Sequence, residues 1–153
     1  MKRGIWFGAL SAGVLFSGMT ACSMGDPEQN KQDGAAFLAE NGKKPGILKT
    51  SSGLQYQVFT EGKGGRPKAA DNVTVNYQGS FIDGKEFDSG ESISFPLDGV
   101  IPGWTEGLQL MQEGAKYRFF IPPELGYGEA GAARVIPPNA TLIFDIELLK
   151  VNR

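Results

Sequence analysis

The sequence contains few of the residues that most enzymes use for chemistry. Its 153 residues include no histidine and a single cysteine, Cys22. The common zinc sites and the serine–histidine or cysteine–histidine nucleophiles therefore lack a ligand or a base. One cysteine also cannot form a disulfide within the chain. Any enzymatic activity must work without histidine.

The residues that could bind a ligand fall in five motifs that combine aromatic side chains with glycine, proline or a carboxylate. These are Val73-x-Val75-x-Tyr77-x-Gly79, Phe87-Asp88-Ser89, Val100-Ile101-Pro102-Gly103-Trp104, Ile121-Pro122-Pro123 with Gly126-Tyr127-Gly128, and Ile136-Pro137-Pro138-Asn139-Ala140-Thr141-Leu142-Ile143-Phe144. Taken singly, Phe87, Trp104 and Phe144 could all be core residues. An acid such as Asp88 is normally solvated. Tyr127, between two glycines, could be exposed by a tight turn and donate a hydrogen bond.

The elements that must position these motifs are mostly strands. Alternating apolar and polar residues predict strands at residues 54–58, 73–77, 85–88, 93–97, 116–121 and 141–151. Asp83-Gly84 predicts a hairpin turn. A proline near its start and apolar residues at helical spacing predict a helix over residues 102–111. An antiparallel sheet covered by one helix is an α+β domain.

Between the last two predicted strands, residues 122–139 form a long segment with a proline pair at each end. Loops of this length in compact domains are usually functional or disordered. The proline pairs stiffen both ends and favour an ordered, functional loop.

In order and spacing, the five motifs resemble the FKBP family of peptidyl-prolyl cis/trans isomerases. The resemblance covers roughly residues 53–151 and implies a curved antiparallel β-sheet wrapped around one short α-helix. The bacterial envelope members related to the macrophage infectivity potentiator are the most similar in style. Those members often dimerise through a long N-terminal helical region. Only residues 33–41 could be the end of such a helix here, so a monomer is expected.

The resemblance also implies an apolar pocket that binds Xaa-Pro segments of unfolded or envelope proteins. Trp104 would form its floor, Ile101 would offer a backbone N–H, and Tyr127 a hydroxyl. The catalytic set implied by the family is Asp88, Tyr127, Phe87, Phe144 and Ile101. The substrate-binding set is Tyr77, Phe95, Val100, Trp104, Val135 and Ile136, the last two from an overhanging loop. No cofactor or metal is expected, and macrolide inhibitors of the family are expected to bind the pocket.

One part of the implied pocket departs from the family pattern. Only seven residues separate Phe87 from Phe95, where relatives commonly have a longer bulged segment. Ile93 could therefore occupy the wall assigned to Phe95.

The first residues resemble a secretory signal peptide. Lys2 and Arg3 precede a nearly uncharged run over residues 4–19, which is shorter than the roughly 20 residues of a membrane-spanning helix. Met19-Thr20-Ala21-Cys22 resembles a bacterial lipobox, which would make residues 1–21 the signal peptide and Cys22 the lipidated first residue. Ser23, by resemblance to lipoprotein sorting, suggests the outer membrane of the cell envelope. The alternative is a secreted soluble protein with an incidental cysteine.

Residues 22–48 are predicted to be a polar tether, followed by an isomerase domain over residues 49–153. Asp33 could cap a short helix over residues 33–41, which would either dock on the domain or fray.

The charged residues, 15 basic and 17 acidic, give a net charge of −2, which argues against nucleic-acid binding.

Three functions are compatible with the sequence. The first is a lipid-anchored envelope isomerase that assists protein folding. The second is a non-catalytic peptide-binding or chaperone module on the same fold, and the third is a structural lipoprotein. The number of separate motifs favours the isomerase.

Overall fold

A six-stranded antiparallel sheet forms the centre of the described part of the chain. The computed structural model describes residues 26–132 and 135–152. Its strands are β1 (Ile47–Lys49), β2 (Gln55–Thr60), β3 (Asn72–Phe81), β4 (Glu86–Pro96), β5 (Lys116–Ile121) and β6 (Leu142–Asn152). Within these residues two α-helices accompany the strands, α1 (Pro27–Asn41) and α2 (Pro102–Leu108). Neither helix is long and apolar enough to cross a membrane.

The strand order across the sheet is β1-β2-β5-β6-β3-β4. The long strands β3 and β6 pair along their whole lengths, with Tyr77 opposite Ile146. The pairing of β3 with β4 shifts register between Val75 and Tyr77 and again between Gly79 and Ser80. Bulges of this kind bend a strand. They lie at the end of the sheet where the aromatic motifs meet.

Helix α2 packs on the inner face of the sheet and closes the core. Two of its glycines allow close approach: a Cβ on Gly107 would lie 2.7 Å from the Phe119 ring, and one on Gly103 would lie 2.9 Å from Ile121. The side chains fully buried between helix and sheet are large and apolar, namely Leu54, Val73, Val75, Leu97, Leu108, Met111, Phe119, Ile121, Leu142, Ile146 and Leu148. The predicted sheet wrapped around one short helix is confirmed.

Helix α1 packs on the opposite face. The side chains of Phe119 and Phe120 point to opposite sides of β5, because successive strand residues alternate. Phe119 meets α2, whereas Phe120 contacts Phe37 of α1 with ring centroids 6.1 Å apart. The C-terminal end of α1 is joined to the sheet by a buried bond from Asn41 Nδ2 to Gln55 Oε1, 2.8 Å long.

Several predicted boundaries were wrong. Helix α1 begins at Pro27 rather than near residue 33, because Asp26 is its N-cap and accepts a hydrogen bond from the Gln29 N–H. The helix docks rather than frays, within the segment predicted to be a tether. The strands predicted at 85–88 and 93–97 are one strand, β4, and α2 ends at Leu108 rather than at residue 111. Strand β1 was not predicted. The predicted signal peptide and Cys22 lie outside the described residues.

Candidate functional site

A cavity of about 370 Å³ opens between α2, strands β3, β4 and β6, and the loop after β5. Its lining is mostly aromatic, with one carboxylate: Tyr77, Phe87, Asp88, Phe95, Gly99, Val100, Ile101, Trp104, Tyr127 and Phe144. Nine of the eleven pocket residues predicted from the sequence are in this set. The structure therefore brings together residues that are up to 67 positions apart, Tyr77 and Phe144.

Trp104 forms the base of the cavity. It is 5% exposed and contacts Tyr77, Phe95 and Phe144 edge to face, with ring centroids 5.2–5.3 Å apart. Its place follows from the start of α2, where Ile101 is the N-cap and Pro102 is the first helical residue. Within the described residues the buried Trp104 Nε1 has no hydrogen-bond partner.

Two glycines that were not predicted as site residues, Gly79 and Gly90, leave room for the aromatic rings of the side walls. A Cβ on Gly79 would lie 2.7 Å from the rings of both Phe87 and Phe144, and these rings meet edge to face at 5.5 Å. A Cβ on Gly90 would lie 2.8 Å from the Tyr77 ring. Glycine inside a strand often marks such a close approach, so the two positions could have been noticed.

The polar group of the cavity is a hydrogen-bonded pair, Tyr77 and Asp88. The Tyr77 hydroxyl donates to Asp88 Oδ2 at 3.0 Å, and the Ser89 backbone N–H donates to Asp88 Oδ1 at 2.8 Å. Burial of Tyr77, followed by its hydrogen bond to the Asp88 carboxylate and the charge of that carboxylate, raises the pKa of Tyr77 to about 12. The Tyr77 hydroxyl therefore stays protonated and donates this hydrogen bond to Asp88 throughout the physiological pH range.

The structure places Phe95, and not Ile93, in the wall of the cavity. The Phe95 ring lines the cavity and stands edge to face with Trp104, whereas Ile93 is 39% exposed and lies outside the lining. Ser92, between Phe87 and Phe95 in the chain, has a φ of 54° and lies in the left-handed region.

Among the described residues of the loop after β5, one lines the cavity: Tyr127, which is 41% exposed at the rim. Val135 and Ile136 do not line the cavity. Val135 is 51% exposed, and Ile136 is buried with the core and pairs with Ala132 through two backbone hydrogen bonds of 2.9 and 3.1 Å. Their predicted contact with substrate stays a prediction.

A second depression, about 540 Å³, lies on the sheet around Asn76, Asp145 and Glu147. Two of its carboxylates are hydrogen-bonded across the sheet: Arg118 binds Asp145 through two hydrogen bonds, of 2.5 and 3.0 Å, and Asn76 binds Glu147 at 3.2 Å. Within the described ranges, no group of three or more His, Cys, Asp or Glu side chains could hold a metal ion. The aromatic cavity is therefore the candidate site.

Comparison with known proteins assigns the family. Residues 63–149 match the model of the FKBP-type peptidyl-prolyl cis-trans isomerase, and residues 15–58 match the domain amino terminal to that isomerase. The isomerase FkpA of Aeromonas hydrophila is 52% identical over 132 residues, which are 84% of this chain and 49% of the relative. The outer membrane protein MIP of Legionella longbeachae is 47% identical over 130 residues, which are 82% of this chain and 56% of that protein.

Solved structures agree with the sequence relatives. The crystal structure of FkpA from Escherichia coli matches with a TM-score of 0.80 at 49% identity, covering 90% of this chain and 64% of that one. A peptidyl-prolyl cis-trans isomerase from Pseudomonas syringae matches with a TM-score of 0.81 at 38% identity, covering 84% of this chain and 98% of that one. The chain spans about half the length of the curated relatives it matches. It belongs to the FKBP-type peptidyl-prolyl cis-trans isomerase family.

Proposed function

We propose that this chain accelerates cis/trans rotation of Xaa-Pro peptide bonds and so assists protein folding. The observation that carries the proposal is the aromatic cavity over Trp104, with the Tyr77–Asp88 pair as its polar group. A ring-sized apolar floor suits the pyrrolidine of proline.

The chemistry needs no acid, base or nucleophile. Rotation opposes amide resonance with a barrier of about 18–20 kcal/mol. In the twisted transition state the amide loses its zwitterionic character and its oxygen carries less charge. An apolar cavity therefore disfavours the planar ground state more than the twisted state, and this differential binding lowers the barrier. The absence of histidine from the sequence is compatible with such a reaction.

Each cavity residue has a role in this proposal. Trp104 supports the proline ring. The Ile101 backbone N–H and the Tyr127 hydroxyl donate hydrogen bonds that orient the substrate, and the Asp88 carboxylate, fixed by Tyr77, faces the rotating amide. The remaining walls are apolar and exclude water: Phe87, Phe95, Val100 and Phe144. Val135 would contact the chain of a longer substrate from the loop, and Ile136, which is buried with the core, would support that loop from below.

A proline-isomerisation assay on a Xaa-Pro tetrapeptide tests the proposal. Wild type should accelerate the reaction, and Asp88→Ala and Phe144→Ala should each lower kcat/KM about 10- to 100-fold, the loss of roughly 1.4–3 kcal/mol of transition-state binding. Glu91→Ala removes an exposed charge from the same strand as Asp88 and should leave the rate unchanged. Phe59→Ala removes an exposed ring outside the cavity and should do the same.

The alternative is a peptide-binding or chaperone module without useful turnover. It makes the opposite prediction for the wild-type protein, which would bind a macrolide inhibitor of the family but give no acceleration over the uncatalysed rate. That result would replace the isomerase proposal with the binding module.

We further propose that Cys22 is lipidated and anchors the chain in the cell envelope, facing the periplasm or the surface. The support is the Met19-Thr20-Ala21-Cys22 motif and the similarity to an outer membrane protein. Cys22→Ser should release the protein from the membrane fraction, and unchanged association would contradict the anchor. The expected monomer is tested by light scattering on the purified chain.

A further inference from the structure

The N-terminal half of α1 lies against the end of the loop between β5 and β6. The side-chain amide of Asn30 donates to the carbonyl oxygen of Pro138 at 2.9 Å, and the side-chain amide of Asn139 donates to the carbonyl oxygen of Pro27 at 3.1 Å. The two bonds cross the contact in opposite directions. Helix and loop therefore each supply one donor and one acceptor, which fixes both their separation and their register.

Close packing supports these two bonds. Gly34 is buried on the same side of α1, and a Cβ there would overlap the hydroxyl of Thr141, which is itself 3% exposed. A Cβ at this position would require the Thr141 side chain or the helix to shift. The contact therefore favours glycine at position 34.

The same loop end is bonded to the turn that carries Tyr127. The Asn139 backbone N–H donates to the carbonyl oxygen of Gly128 at 2.8 Å. Pro137 and Pro138 have no N–H, so Asn139 provides the donor for this stretch. Asn139 also has a φ of 57°, a conformation that asparagine tolerates better than most residues. Its side chain and backbone therefore join α1 to the residue next to Tyr127.

We propose that α1 is a positioning element for the cavity, and that Asn139 is the positioning residue through which the docked helix holds Tyr127 at the rim. The two bonds described above join the helix to the loop end, at Pro138 and Asn139, which are not among the lining residues of the cavity. The effect of the docked helix is to restrict the turn over residues 126–128. A Tyr127 hydroxyl that binds ground state and transition state alike contributes to substrate affinity, so loss of docking raises KM and leaves kcat nearly unchanged.

A pair of opposite substitutions in α1 provides the test. Gly34→Ala favours helix formation but blocks the seat on Thr141, whereas Ala36→Gly disfavours helix formation at an exposed position and leaves the seat intact. If α1 positions Tyr127, Gly34→Ala raises KM two- to fivefold and speeds amide hydrogen exchange over residues 126–132, while Ala36→Gly changes neither. A helix that matters only through its own stability would give the reverse order.

Two further variants remove the hydrogen bonds without a steric clash. Asn30→Asp loses the donor to Pro138 but keeps the side-chain shape, and its charge in the first turns favours the helix. Asn139→Gly keeps the backbone bond to Gly128 and tolerates the positive φ, but loses the bond to Pro27. Both should raise KM and exchange in the same direction as Gly34→Ala. If Gly34→Ala does not fold, these two variants test whether α1 positions Tyr127.

The KM readout rests on the proposed function, because it requires an active isomerase. A second readout, peptide binding, does not require activity. Binding of the same tetrapeptide, followed by the fluorescence of Trp104 in the cavity, gives a Kd that should rise by the same factor as KM. An inactive wild type would refute the isomerase proposal, and the Kd and exchange data would still decide the positioning role. An active wild type whose Asn30→Asp and Asn139→Gly variants keep wild-type KM and Kd would overturn the positioning role alone.

Discussion

The two helices pack on opposite faces of one sheet by different means. Helix α2 has seven residues, four of them buried, and places its apolar side chains in the core. Helix α1 has fifteen residues, of which only Gly34 and Asn41 are buried. Short and apolar, α2 is fixed by packing, whereas the longer and more polar α1 is fixed by side-chain amides, a glycine contact and one aromatic pair.

The two helices therefore contribute to the candidate site in different ways. Because α2 provides Trp104 and the fold of the core together, a change that loosens α2 removes the cavity with the fold. Helix α1 bonds to the loop that carries Tyr127 and is peripheral to the core, so it can be weakened while the cavity persists. The predictions below test this division.

The largest expected effect comes from the same substitution made in each helix. Leu108 is fully buried, so Leu108→Ala should lower the free energy of unfolding by about 3–4 kcal/mol, from lost burial and the cavity left behind. Leu38 is half-buried on α1, and Leu38→Ala should cost about 1 kcal/mol. Urea unfolding measures both.

Two results for Leu108→Ala and Leu38→Ala would contradict the predicted difference between the helices. Equal losses at the two positions would mean that α1 is as much a part of the cooperative core as α2. A loss at Leu38 confined to hydrogen exchange in α1, with the global unfolding unchanged, would mean that α1 detaches before the domain unfolds.

A smaller effect is expected where α1 depends on amide groups. Asn41 is 3% exposed and donates to Gln55, which is 4% exposed and donates in turn to the Leu38 carbonyl at 2.9 Å. Asn41→Ala leaves the Gln55 Oε1 buried without a donor and should cost about 1–2 kcal/mol.

A double-mutant cycle separates the polar pair from packing. The double variant with Gln55→Leu and Asn41→Leu should be nearly as stable as wild type, because both partners are then apolar and no buried group is left unpaired. A cost in the double variant equal to the sum of the single ones would show that the amide pair is not the source of the stability.

How much was predictable from the sequence follows the same division. The strands and α2 carry apolar residues at regular spacing, so burial, which determines their structure, is visible in the pattern. Seven residues between Phe87 and Phe95 left the wall residue open, because a register shift and the positive φ of Ser92 decide which side chain faces inward. Such local backbone geometry leaves little trace in apolar periodicity.

Helix α1 was predicted too short for a related reason. Between Pro27 and Asn41 its only bulky apolar side chains are Phe37 and Leu38, so no apolar stripe marks its docked face. Its docking uses Asn30, Asn41 and the absence of a side chain at Gly34. Hydrogen bonds to partners more than 100 positions away, such as that from Asn30 to Pro138, can be identified only once the fold is known.

The most local predicted effect concerns the pKa of Tyr77, on the α2 side of the sheet. An unfolded tyrosine titrates near pH 10, whereas burial and Asp88 raise the pKa of Tyr77 to about 12 in the folded state. The folded state therefore binds this proton more tightly than the unfolded state. The resulting stability is fully present below pH 10 and is lost as the pH rises from 10 to 12. Ultraviolet titration of wild type against Tyr77→Phe isolates this group from the other tyrosines.

Variants on the two faces then test how independent they are. Asp88→Asn should lower the pKa of Tyr77 but keep it above 10, because burial is the largest cause of the shift and the asparagine carries no charge. Leu38→Ala should leave that pKa near 12, since α1 contacts the sheet on the side away from Trp104. If Leu38→Ala lowered the pKa of Tyr77 as far as Asp88→Asn does, water would be entering the cavity when α1 loosens. The two helices would then form one packed unit, and the influence of α1 would extend beyond Tyr127 to the floor of the cavity.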